Sequence, residues 1–379
     1  TVDLRALTST QMRTLSATQL NKLSEAQVGA ITTEQIQSLT STQLNGLSSG
    51  VVQSLDSAQV NALTSTQVGG LSSAMLNKLS DTQVSDLTQA TLVAIATGAL
   101  QGVSTAQLNA LDSAQVQQLS TSQVQALTSA QLNNVDTAQL ANLSSTQVQK
   151  LSSAQLNALS STAIQALETG DVQAMSSTQI QSLSTAALNK LSQEQLESLS
   201  ETQLQALSSS QLNALTSSSV QSLTTDGIND LTTTQVQGLS AALLNRMSTE
   251  QMGALATSRV LAIGTAALQA LSTDQLNALS SSQVQALSSS QLQALTSTQL
   301  NRVDVGQLTN LSSTQVQKLS SAQLNALNST ALQSLDDGDV AALDRREEVQ
   351  LVDAGHAAHQ RQVDAVVAQV VEQLRRVAL

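Results

Sequence analysis

The chain of 379 residues contains no phenylalanine, tryptophan, tyrosine, proline or cysteine, and only 11% of its residues are charged. A globular core of this length ordinarily uses aromatic rings as its large space-fillers, so their absence argues against a conventional enzyme core. Without cysteine there is neither a disulfide framework nor thiolate chemistry, and the redox compartment leaves no trace. No apolar run approaches the roughly 18 residues needed to cross a bilayer, so no membrane span is expected. The 27 acidic side chains outnumber the 15 basic ones, for a net charge of −12. A phosphate-binding surface needs the opposite balance, so no nucleic-acid partner is expected. Yet 40% of the residues are apolar, too many for a typical solvated disordered chain. Thr1 is not an initiator methionine and no charged-then-apolar leader follows it, which reads as a mature form or a fragment.

What is present is a repeat. From Leu7 to Leu335 an aliphatic residue recurs every eight positions without a gap, so residues 7–342 form 42 octads. With positions labelled a to h, the consensus is L-S-S-T-Q-L-N-A. Positions a and f are aliphatic throughout, b is mostly Ser or Thr, e is mostly Gln and h is most often Ala.

An uninterrupted α-helix advances about 100° per residue, so an eight-residue period would drift by roughly 80° per repeat and wind its apolar stripe around the helix. In a strand the a-to-f and f-to-a steps are both odd, which places the two apolar positions on opposite faces. A broken helix fits better. Ser or Thr at b and Gln at e have the spacing of a capping box, as in Ser16-Ala17-Thr18-Gln19. Each octad then reads as one short helix followed by a kink at the next Ser or Thr. So short a helix is unstable alone because nucleation is costly. The fold expected is therefore an all-α solenoid of 42 short capped helices, with a and f inside and Ser, Thr, Gln and Asn coating the outside.

Longer periods lie on top. Residues 135–174 nearly recur at 303–342, an offset of 168, which divides the array into tandem blocks 7–174 and 175–342 after a lead-in at 1–6. At position h, Lys22, Lys78, Lys190, Arg246 and Arg302 fall on a 56-residue grid whose missing point is Asn134. An acidic residue follows each point: Glu25, Asp81, Asp136, Glu194, Glu250 and Asp304. The grid suggests about seven octads per superhelical turn and a ladder of ion pairs along one side. From Leu343 the octad fails. Val363, Val367, Val370, Leu374 and Val377 then give residues 343–379 the pattern of an amphipathic capping or oligomerisation helix.

Candidate chemistry is sparse. Gly46-Leu47-Ser48-Ser49-Gly50 matches the nucleophile-elbow pattern, but Ser48 is an octad cap and the repeat contains no histidine to act as its base. His356 and His359 with Asp353 offer at most a weak metal set. Asp336-Asp337-Gly338-Asp339, with its relative Glu168-Thr169-Gly170-Asp171, lacks any calcium-loop spacing. No enzyme activity, metal or cofactor is expected.

Leu87-Thr88-Gln89-Ala90-Thr91-Leu92-Val93-Ala94-Ile95-Ala96 resembles the first helix of transcription-activator-like effector repeats. That family's second helix and base-reading loop are missing, and the likeness reads as shared capping chemistry. Ice-nucleation proteins also use octads, but none here carries their Gly-Tyr-Gly. Octads such as Leu279-Ser280-Ser281-Ser282-Gln283-Val284-Gln285-Ala286 are similar to L-[ST]-[ST]-x-Q-[LVI]-x-[AG] arrays of large bacterial proteins described as adhesion or haem-utilisation-like. The resemblance covers 7–342 and implies a secreted or surface-attached bacterial protein. Haem itself is not expected, since the repeat has no His, Cys, Tyr or regularly placed Met as axial ligand. The function expected is a structural rod, spacer or filament subunit able to self-associate. A binding scaffold (an adhesin or protein-binding solenoid) is the alternative.

Overall fold

The structure, a computed structural model, describes residues 2–335 together with 338, 339, 341 and 343. Among these, every octad from Leu7 to Leu327 holds one α-helix of four to six residues, preceded by the lead-in helix Val2–Arg5, and there is no strand. The octad beginning at Leu151 is representative. Ser152 is extended (φ −71°, ψ 155°) and its hydroxyl accepts the Gln155 N–H at 3.2 Å. The Ser152 N–H in turn donates to Gln155 Oε1 at 2.9 Å, which completes the capping box. The helix Ser153–Ala158 ends where Leu159 returns to extended backbone (φ −61°, ψ 139°). Two successive extended residues, a and b, thus make the corner between helices. No described residue has a positive φ, so the corner needs no glycine or asparagine; Gly264 and Asn328, which stand at b, have the same extended backbone as the serines and threonines there.

The chain divides into two compact units, Thr1–Ser198 and Leu199–Leu379. Within each, the aliphatic a and f side chains fill the interior; Leu156, Ile164, Leu268 and Leu292 are fully buried. Polar b, c and d residues lie mostly toward the surface.

The expected seven octads per turn are corrected. Hydrogen bonds between turns join residues 25 to 33 apart, as in Gln155 Nε2 to Leu127 O (28 apart) and to Val124 O (31 apart). One turn therefore takes about 28 residues, three and a half octads, and each helix sits over the corner between two helices of the turn below. The reason is the width of the interior. At roughly 10–11 Å of path per octad, seven octads enclose a radius near 12 Å, wider than opposed aliphatic side chains can fill, whereas three and a half enclose about 6 Å.

Candidate functional site

The feature that recurs along both units is the side chain of Gln at e. In the octad beginning at Leu287, Gln291 Oε1 accepts from the Ser288 N–H (3.0 Å) and hydroxyl (3.1 Å). Its Nε2 donates to Val260 O (2.9 Å) and Ile263 O (3.0 Å) in the turn below. Both acceptors are carbonyls at the C-terminal end of a helix and the corner after it: Val260 O already accepts the Ile263 N–H at 3.1 Å, and Ile263 O is of the kind that a helix leaves without a partner of its own. One amide therefore caps its own helix and staples two carbonyls beneath. Gln291 is 2% exposed, so the expectation that Gln coats the outside is corrected for position e. Its hydrogen-bonding capacity is filled, which is what allows an amide to be buried here.

Where e is not Gln, the work is shared by residues that sequence reasoning missed. Asn133, at position g, donates from Nδ2 to Ala158 O at 2.8 Å and accepts the Ser160 N–H on Oδ1 at 2.6 Å. The octad of Ser160 carries Ala163 at e, so Asn133 supplies from the turn below the acceptor that Gln would have supplied. Asn21, Asn45, Asn61, Asn157 and Asn213 do the same for octads whose e residues are Val51, Met75, Thr91, Ala187 and Leu243. For these six octads the signal was present as an Asn thirty residues before the missing Gln, a spacing with no meaning until the turn is known. Where Asn and Gln coincide, the Asn wins. Asn77, Asn109, Asn245 and Asn277 take the cap amide, and Oε1 of Gln107, Gln139, Gln275 and Gln307 is left buried without a partner. Gln139 and Gln307 each line a small apolar cavity, and the two cavities are equivalents 168 residues apart.

This competition makes a prediction. Asn133→Ala strands the Ser160 amide and should cost about 1–2 kcal/mol. Asn109→Ala should cost clearly less in urea unfolding, because Gln139 is free to accept the Asp136 amide. Equal losses would contradict the exchange.

The cation grid resolves in the same terms. Lys78 Nζ donates to Leu47 O (2.5 Å), Lys190 Nζ to Leu159 O (2.6 Å) and Arg246 Nη1 to Leu215 O (2.9 Å). Each cation sits in an octad whose e residue is Met75, Ala187 or Leu243, and each takes the carbonyl that a Gln there would have stapled. Three members of the expected ion ladder thus direct their charge to backbone carbonyls. Lys22 and Arg302 lie in octads that keep Gln19 and Gln299. With a 28-residue turn, grid members 56 apart are two turns apart and not adjacent. The acidic followers stand at helix N-termini: Glu25, Asp81, Glu194 and Glu250 in first turns, Asp136 and Asp304 at N-caps. That is where the helix dipole favours them. Glu194 is held below the usual carboxylate range by its own backbone N–H and then by the Ser192 hydroxyl.

Of the other candidates, Ser48 is an ordinary cap whose N–H donates to Asn21 Oδ1 at 2.7 Å. His356, His359, Asp353, Asp336 and Asp337 and the amphipathic stretch from Val363 lie outside the described residues. Among the described residues no group of His, Cys, Asp and Glu is placed to hold a metal ion, and no helix is long and apolar enough to cross a membrane.

A family model described as the ALTTAQ repeat matches residues 1–33, 36–73, 92–129, 105–137, 132–168, 164–201 and 260–289. No curated protein matches the chain.

Proposed function

We propose, given that this chain belongs to the ALTTAQ repeat family, that it is a non-catalytic structural rod or spacer carried on or outside a bacterial cell. The observation that carries this reading is the uniformity of the step between turns. Gln155 and Gln291, far apart in sequence and in different units, make the same pair of staples to carbonyls 28 and 31 residues earlier. A repeat whose commonest step recurs with the same bonds can be lengthened or shortened without redesign, which suits a spacer. Much of the variation at e, g and h, which in a binding solenoid would mark a ligand surface, follows here the exchange of Gln, Asn and cationic staples. Side-by-side association into filaments or bundles fits the same role.

The test is excision of residues 111–166, seven octads and two turns of the first unit. Small-angle scattering should show the longest dimension reduced by roughly 20 Å, two helix-packing distances, with helix content per residue unchanged. A shortened chain that loses its helicity, or keeps its original longest dimension, would contradict a modular spacer.

A further inference from the structure

In the octad beginning at Leu167 the staple position is occupied by Asp171, and 168 residues later Asp339 takes the same place. Each is 3% exposed. The register assigns to position 171 the carbonyls of Leu140 and Leu143, as it assigns Val124 and Leu127 to Gln155. An amide donates to such carbonyls; an ionised carboxylate has nothing to donate. Asp171 instead accepts, from the Ser145 hydroxyl at 2.9 Å and from the Glu168 N–H at 3.3 Å.

We propose that Asp171 is a proton-operated staple. With its carboxyl neutral, the helix Thr169–Ala174 closes against Ser145–Val148 of the turn below; ionised, it loosens that step. Protonation removes a buried charge and adds the donor that this position otherwise lacks.

The surroundings favour the neutral form. Burial pushes the Asp171 carboxyl up from its ordinary value; the Ser145 hydroxyl and the Glu168 N–H oppose this, and the Glu168 charge adds to it. The helices packed against Thr169–Ala174 include Ser145–Val148, followed by Lys150, and Gln193–Glu197, which carries Glu194 and Glu197. Of these groups and Glu168, the charge that acts on Asp171 is that of Glu168, of the same sign. The sign of the linkage follows. The folded chain holds this proton more tightly than the unfolded chain, so the step is tightest below the ordinary value of 3.8 and loosens as pH rises through the folded value.

The experiment uses the full chain and two readouts. A carboxyl carbon NMR titration of the unaltered protein should place Asp171 above its ordinary value. Amide hydrogen exchange at 172–174, corrected for intrinsic rates, should show protection falling severalfold between pH 4 and 7. Asp171→Asn should flatten that profile, and Asp171→Gln should give the highest protection at pH 7. A carboxyl that titrates at or below 3.8, or parallel profiles in the unaltered chain and Asp171→Asn, would overturn the proposal. Both readouts are local to this step, so they stand or fall independently of the spacer role.

Discussion

Gln155→Glu is expected to lower the stability of the chain by about 3–5 kcal/mol at neutral pH, as measured by urea unfolding. The substitution keeps the oxygen that accepts the Ser152 N–H. It replaces Nε2, which donates to Leu127 O at 2.8 Å and Val124 O at 3.2 Å, with a second oxygen aimed at the same carbonyls. The Leu127 carbonyl loses its donor at roughly 1–3 kcal/mol, the Val124 carbonyl is left with the Leu127 N–H alone, and a buried charge is introduced without a counter-charge. Gln155→Met, similar in length and uncharged, removes those staples and the acceptor of the Ser152 N–H as well, but adds no charge, and should cost about 2–3 kcal/mol. The gap between the two variants should narrow on acidification. The folded state holds the proton of the introduced carboxyl more tightly than the unfolded chain does, so the lost stability returns as pH falls through the folded value. A glutamate variant no worse than the methionine variant at pH 7 would contradict the stapling geometry.

The second large effect concerns how closely turns approach. Asn45 reaches Gly70 O at 2.8 Å and accepts the Ser72 N–H at 2.8 Å, although its side chain is one methylene shorter than glutamine. A Cβ at Gly70 would lie 2.5 Å from Ser41 Oγ and 2.8 Å from Ser41 Cβ. The serine hydroxyl can rotate away; its Cβ cannot move without the backbone. Gly70→Ala should therefore cost about 1–3 kcal/mol as overpacking, and Ser41→Gly should recover a substantial part of it in a double-mutant cycle. The pairs Gly102 with Ser73 and Gly238 with Ser209 have the same geometry beneath Asn77 and Asn213 and should behave alike. Additive losses at positions 41 and 70 would mean that the two do not meet.

Much of the helix was legible before the turn was. Ser or Thr at b, Gln at e and aliphatic a and f identify a capped helix because capping and staple contacts are local, within four residues of chain. The function of Gln at e was half legible: Oε1 acts within its octad, whereas Nε2 acts 28 and 31 residues away. The turn was misread for a related reason. Three and a half octads is not a whole number, so only its double, seven octads, returns the same octad position to the same azimuth. The 56-residue spacing of Lys78, Lys190 and Arg246 is thus real periodicity counted over two turns. Their acidic followers looked like partners because the C-terminal end of one helix, where cations are favourable, is followed within four residues by the N-terminus of the next, where carboxylates are.

The size of the turn is the central claim, and a chain without native cysteine is suited to measuring it by paired spin labels. Cysteines would be placed at Ala90, Gln118 and Thr146, two at a time, all within the first unit; Ala90 and Thr146 are exposed and Gln118 is half-buried. A turn of three and a half octads places the backbone at residues 90 and 118 one helix-packing distance apart, about 8–10 Å, and that at residues 90 and 146 about twice as far. The label-to-label distance should accordingly increase from the first pair to the second. A turn of seven octads reverses the order, with 90 and 146 in adjacent turns and 90 and 118 across the ring, and that result would contradict the account.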